Sequence, residues 1–224
     1  NKMREAIRRN NAPIILVDPR KTRWEKWANL WLRPLPGTDI TWINGLVRLL
    51  IEKGAHSKEF VGSKTEGFEN MRSSLERFSR DFVKGVAGIP PEDLEAVANL
   101  YMAAKKRAII FGSGVAQHAN GVETVKALCN LALLTGETEE GGGGIYPMLT
   151  QNNAQGACDM GCLSEFLPGY QRVDDEKARR RFEESWERAI PEKSGFTYME
   201  MFDKIAEGKI KALYISGEDP FITL

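Results

Sequence analysis

The stretch AIIFGSGVAQH, residues 108–118, sets the fold. Four apolar residues, Ala108 to Phe111, read as a short buried strand, and Gly112-Ser113-Gly114 ends it. Glycines after a strand let the backbone approach a pyrophosphate, whose oxygens the following N–H groups can cradle. A tight strand-to-helix turn accounts for the same residues, and both readings stay open. The stretch is not a nicotinamide fingerprint, because Gln117 stands where a third glycine is required. His118 has no second histidine nearby, so it reads as a surface residue and not as a metal ligand.

Working outward, the same alternation recurs. Downstream, residues 121–134 have helical periodicity and stop at Gly136, and Glu137 to Gly144 reads as a flexible glycine-rich loop. Helices are predicted over 176–188 and 197–207. Lys211 to Ser216 is predicted as the last strand. Upstream, residues 2–10 read as a helix, Ile14 to Val17 as a strand stopped by Asp18-Pro19, and Asn29 to Leu32 as a second strand. Thr38 or Asp39 is expected to cap a helix carrying Ile40, Ile43, Leu46, Val47, Leu50 and Ile51 at the helical period. Residues 57–85 read as mostly helical, with Met71, Leu75, Phe78 and Phe82 on one face, and Pro90-Pro91 opens another helix. Strands alternating with helices predict an α/β fold with parallel-sheet, Rossmann-like nucleotide-binding domains. The irregular stretch near residue 150 marks a seam, giving domains 1–150 and 151–224.

In such folds ligands bind beyond the carboxyl ends of strands. Asp18-Pro19-Arg20-Lys21 and Gly217-Glu218-Asp219-Pro220 are two further strand ends, each with a carboxylate. Asp18 can hold a ribose hydroxyl or a guanine edge, and Arg20 a phosphate. A turn closed by an Asx hydrogen bond fits equally.

Composition excludes several classes. Lys plus Arg is 31 and Asp plus Glu is 31, so bulk charge points to neither nucleic acid nor an anionic membrane. No apolar run reaches the roughly 18 residues that span a bilayer, and direct membrane insertion is not expected. Cys129, Cys158 and Cys162 are too few for a disulfide framework and read as buried structural thiols in a reducing, cytoplasmic compartment. The chain begins without Met and stops three residues after Phe221. It reads as a piece of a longer protein, on which an export signal would be invisible.

The most specific segment is QNNAQGACDMG, Gln151 to Gly161. It resembles the signature of formate dehydrogenase alpha subunits, within the molybdopterin oxidoreductase family. VDPRKT (17–22), PGTD (36–39), KTEGFE (64–69), VETVKALCNLALLTG (122–136), LPGYQ (167–171) and GEDP (217–220) resemble that family's elements in the same order. The resemblance covers nearly the whole chain and the middle of a longer subunit. It implies a bis-molybdopterin guanine dinucleotide cofactor with molybdenum or tungsten. Val17, Asp18, Arg20, Gly37 and Asp39 would contact one nucleotide arm. Gly112, Ser113, Gly114, Gln117, Gln151, Asn152, Asp219 and Thr223 would contact the other. Ser113 stands where the family often has Met. The implied reaction is the two-electron oxidation of formate to CO2 or its reverse, with no catalytic residue or metal ligand in this fragment. A [4Fe-4S] cluster and the Cys or selenocysteine ligand would lie elsewhere in the parent. Implied partners are the rest of the catalytic subunit, an iron–sulfur or flavin electron-transfer subunit and a small-molecule substrate.

One departure bears on the substrate. The family carries Arg two positions before the Gln of QNN, and Leu149 stands there. Leucine cannot pair with a carboxylate. A related oxidoreductase with another substrate, or a non-catalytic paralogue, is therefore the alternative. The central domain of thiamin-diphosphate enzymes also places glycines after a strand, but leaves the Gln151–Gly161 segment unexplained.

Overall fold

Asp39–Glu52 is apolar almost all round, and the first half of the chain is built about it. A computed structural model describes residues 2–138, 140–148, 151–217 and 219–223, with the backbone alone for Lys2, Phe221 and Thr223. The chain divides into two units, Asn1–Thr150 and Gln151–Leu224.

The first unit runs α1 (Lys2–Asn10), β1 (Ile15–Val17), a 3-10 turn (Glu25–Trp27), β2 (Leu30–Leu32), α2 (Asp39–Glu52), α3 (Lys58–Lys64), α4 (Phe68–Ser74), α5 (Arg80–Ala87), α6 (Pro91–Ala103), β3 (Ile109–Gly112), α7 (Ser113–Ala116), α8 (Gly121–Leu134) and β4 (Ile145–Met148). Eight of the fourteen α2 residues are buried, including Trp42, Ile43, Leu46 and Leu50. That is more than one amphipathic stripe, so helices pack on several sides of it. Val83 of α5, Leu94 and Val97 of α6, and Leu128 and Leu131 of α8 close the core around it. Ile15, Val17, Leu30, Ile109, Phe111 and Ile145 bring the strands onto the same core.

β1 pairs with β2 in parallel, Ile15 opposite Leu30 and Val17 opposite Leu32. β3 pairs with β4 in parallel, Ile109 opposite Ile145 and Gly112 opposite Met148. The expected parallel pairing is present, but as separate two-stranded sheets among the described residues. Parallel neighbours need a crossover, and α7 with α8 supplies the one between β3 and β4.

Several local expectations are corrected. Residues 57–85 are mostly helical as expected, but divided into three helices, because Gly67 has φ +73° and the chain turns again before Ser79. Phe82 is 40% exposed and meets Phe78 edge-on. Thr38 occupies the N-cap of α2 without capping it: its hydroxyl donates to the Leu35 carbonyl at 2.6 Å. The Asp39 carboxylate accepts from Trp42 Nε1 at 3.2 Å instead.

The second unit comprises α9 (Ala154–Asp159), β5 (Phe166–Leu167), β6 (Gln171–Arg172), α10 (Glu176–Trp186), α11 (Tyr198–Ala206) and α12 (Pro220–Thr223). Its buried apolar side chains are Leu167, Val173 and Ala178 among the described residues. Local hydrogen bonds carry more of its order. Asn153 caps α9, Asp175 caps α10, and Thr197 with Glu200 forms a capping box on α11. β5 and β6 form an antiparallel hairpin closed by Gly169 and Tyr170, both at positive φ.

Lys211 to Ser216 is the main correction here. It has no regular structure and pairs with no described strand, and Tyr214 is 95% exposed. A strand exists only through its ladder, and no described neighbour offers one. The cysteines are also more open than expected: Cys129 and Cys158 are half-buried and Cys162 is exposed just past the end of α9.

Gly45 of α2 faces α5 so closely that an added Cβ would lie 2.4 Å from Val83 Cγ2. Val is stiff at χ1, so the clash forces the two helices apart. Gly45→Ala is expected to destabilise the chain by about 1–3 kcal/mol, read as a shifted midpoint in urea unfolding.

Candidate functional site

The turns after β1, β2 and β3 hold the candidate site residues of the first unit. After β1, the Asp18 N–H donates to the Leu32 carbonyl at 3.2 Å, carrying the ladder one residue past the strand. Asp18 Oδ1 accepts from the Arg20 N–H at 2.8 Å and from Arg20 Nε at 3.4 Å. The Asx turn foreseen from the sequence is thus present, and it sets the Arg20 guanidinium beside the Asp18 carboxylate. The Trp31 indole N–H donates to the Asp18 carbonyl at 2.9 Å and fixes the turn from the β2 side. Val17, next to it, is half-buried on the core.

After β2 the chain turns at Gly37, whose φ of +80° suits glycine. The Leu35 N–H is held by the Ala87 carbonyl at 2.9 Å, so the turn is anchored to the end of α5. Asp39 follows as the first residue of α2.

After β3, Gly112 leads directly into the single turn of α7. A Cβ on Gly112 would stand 3.5 Å from the Met148 carbonyl, and a Cβ on Gly114 would meet nothing within 4 Å. Gly114 and Gln117 are exposed, and Ser113 is half-buried. The Gln117 N–H donates to the Ser113 carbonyl at 2.7 Å, leaving its side chain outside the turn's backbone bonds.

Two of these turns meet. A Cβ built on Gly37 would lie 3.9 Å from His118 Nδ1, although the residues are far apart in sequence. The sequence offered no local signal for this approach, because only packing around α2 brings the two strand ends together. His118 is exposed, as the sequence reading expected, and lies beside the Gly37 turn of the candidate site.

A residue the sequence reading missed is Glu137. Where a flexible loop was expected, its two ends are tied together: Gly143 and Gly144 both bond to Glu137. The Glu137 carboxylate, 3% exposed, accepts from the Arg107 N–H at 2.9 Å, the Gly143 N–H at 3.0 Å and the Arg107 guanidinium. Arg107 Nε also donates to the Tyr101 carbonyl. Burial pushes the Glu137 carboxyl up, but the hydrogen bonds from Arg107 and Gly143 and the guanidinium charge outweigh it and hold it below its ordinary value. A Cβ on Gly142 or Gly143 would strike the Glu137 or Arg107 backbone at under 2.5 Å, so glycine is needed for this approach. The only sequence signal was a carboxylate at the mouth of a glycine run.

In the second unit, Gln151 and Asn152 are exposed ahead of α9, and Asp219 is exposed ahead of α12. Thr223 ends α12, its side chain outside the described residues, as is all of Leu149. No group of three or more His, Cys, Asp or Glu among the described residues could hold a metal ion. No helix among them is long and apolar enough to cross a membrane.

Parallel strands ending in glycine and Asx turns define the class: an α/β scaffold that offers backbone and small polar groups at its strand ends. Residues 1–224 match the family model for molybdopterin oxidoreductases. The chain is 39% identical over 212 residues to the alpha subunit of a Methanocaldococcus jannaschii formate dehydrogenase, covering 95% of this chain and 31% of that protein. It is 39% identical over 217 residues to formate dehydrogenase H of Escherichia coli, covering 96% of this chain and 30% of that protein. Among solved structures, acetylene hydratase from Pelobacter acetylenicus superposes with a TM-score of 0.55 at 25% identity, covering 59% of this chain and 18% of that one. The chain belongs to the molybdopterin oxidoreductase family, and it spans about a third of the length of the formate dehydrogenases it matches. Membership makes molybdopterin its cofactor class.

Glu137→Gln keeps the shape and removes the charge, and is expected to cost about 2–3 kcal/mol in chemical denaturation. The sign with pH follows from a depressed native pKa. The carboxylate's contribution is complete above the ordinary glutamate value of about 4.5 and is lost as pH falls through the lower native value. The glutamine variant should therefore approach wild-type stability as the pH is lowered into that range; a constant gap would contradict the assignment.

Proposed function

We propose that this chain is part of the cofactor cradle of a formate dehydrogenase-type catalytic subunit, gripping a bis-molybdopterin guanine dinucleotide that carries molybdenum or tungsten. The observation that supports this most is the meeting of the Gly37 and His118 turns at the ends of parallel strands, beside the Asx turn of Asp18. Extended dinucleotides bind at such strand ends.

The residue chemistry fits the ligand. An Asp18 carboxylate oxygen not used by Arg20 would accept from a guanine N1–H and exocyclic amine, and Arg20 would face a phosphate. Val17 would pack beneath the base, and Gly37 and Asp39 would complete that arm's contacts. Gly112 and Gly114 keep side chains away from the other arm, where the open space at Gly114 permits close backbone approach. Ser113 and Gln117 would bond its polar edges, with Gln151, Asn152, Asp219 and Thr223 contributed by the second domain, 151–224. The Lys211 to Ser216 segment would become a strand of that domain when a neighbouring strand of the parent pairs with it. When bound, the metal centre supplies the two-electron chemistry; this chain's residues bind and orient the cofactor. A [4Fe-4S] cluster elsewhere in the parent and an iron–sulfur or flavin subunit would carry the electrons onward, in a cytoplasmic enzyme.

Leu149 favours a second reading for the substrate. The family position it occupies would need a cation for formate, and a neighbour in fold is named for acetylene hydration. A related enzyme with another small substrate fits this residue better, as does a non-catalytic paralogue.

Three measurements on the full-length protein separate these readings. Metal analysis together with GMP released by acid hydrolysis should give molybdenum or tungsten with two GMP per metal; absence of GMP would sink the cradle. Asp18→Ala should lower GMP retained after gel filtration. Leu149→Arg should raise formate turnover by about tenfold or more, in line with the effect of one well-placed charged donor. Ordinary formate oxidation by the wild type would remove the case for another substrate.

A further inference from the structure

The neutral chain conceals an uneven distribution of charge. Residues 2–33 hold nine Lys and Arg against three Asp and Glu, and three of the five tryptophans. The rest of the chain is correspondingly acidic, because the total is balanced.

Each of the three acids is neutralised within the segment. Glu5 lies 3.0 Å from Arg9, Asp18 3.4 Å from Arg20, and Glu25 3.7 Å from Lys21. Six cations remain; apart from Lys2, whose side chain is outside the described residues, they are Arg4, Arg8, Arg23, Lys26 and Arg33, all exposed. Among the described residues none of the five pairs with a carboxylate. Three of them rest on indoles instead. Arg4 lies 5.9 Å from the Trp24 ring centroid, Lys26 5.6 Å from that of Trp27, and Arg33 5.1 Å from that of Trp31. The indoles are half-buried, and Trp31 is fixed by its bond to the Asp18 carbonyl. They act as rigid platforms, so their cations are ordered before any partner arrives.

We propose that this α1 and β1–β2 face is a docking surface for an acidic protein surface. Two observations select that occupant. The cations cover the indole faces, which denies nucleobases the stacking that single-stranded nucleic acid needs. The same covering keeps the indoles from entering a lipid interface with bare rings. What remains is a set of unmatched cations with Arg set against Trp, the composition of protein–protein anchors. Such a face speeds encounter with an acidic partner and loses strength with salt. The inference does not use the cofactor reading and stands if that reading falls.

The test uses the full-length protein and labelled poly-L-glutamate, with binding read by fluorescence anisotropy at low and physiological salt. Arg8→Glu with Arg23→Glu and Arg33→Glu should weaken binding about tenfold or more at low salt. The neutral set Arg8→Gln, Arg23→Gln and Arg33→Gln should give an intermediate loss, and decides the matter if the reversed set does not fold. Lys193→Glu with Lys211→Glu, exposed in the other unit, should change binding less than twofold. No binding by wild type, or equal binding by both arginine variants, overturns the proposal. So does tighter binding of single-stranded DNA or phosphatidylserine vesicles at equal charge, if the arginine variants abolish it.

Discussion

A nearly sealed carboxylate holds the site's frame together. Glu137 comes at the end of the long crossover between β3 and β4, and it bonds to Arg107 just before β3 and to Gly143 just before β4. Parallel strands have no shared tight turn to set their register. Here a carboxylate bridging the entrances of both strands supplies what a hairpin turn would. The register that follows puts Gly112 opposite Met148, so the glycine turn after β3 leaves the sheet level with the last residue of β4. The same clasp explains the run of glycines, since side chains at 142 and 143 would collide with the backbone they must approach.

The two units keep their order by different means. In the first, α2 is buried on most of its circumference and only α5, through Ser79, has a side-chain N-cap among α2, α3, α5, α6 and α8. Tertiary burial does the stabilising, and end effects matter less. In the second, little apolar surface is buried, and α9, α10 and α11 each begin at a side-chain cap. Caps act over one turn and need no distant partner. That is why these helices are defined while the 211–216 segment, which needs a partner for a ladder, pairs with no strand among the described residues.

For function, the scaffold and the substrate separate cleanly. Family membership rests on matches along the whole chain. Under the proposed reading, the turns at Asp18, Gly37 and Gly112 would serve a long nucleotide ligand whatever is oxidised, and the substrate would rest on few positions, Leu149 among them.

The sequence by itself determined the local elements and the family. Short-range patterns sufficed: helical spacing for α2 and α8, Pro91 at the start of α6, apolar runs for β1 and β3, the Asx turn at Asp18, and the QNNAQGACDMG segment. Tertiary structure alone decided which of these meet. The approach of Gly37 to His118, the burial of Glu137 and the lack of a ladder at 211–216 depend on contacts between segments distant in the chain. A one-dimensional pattern records what a residue prefers locally. It does not record which carboxylate will be sealed from water or which strand will find a neighbour, because those energies belong to pairs.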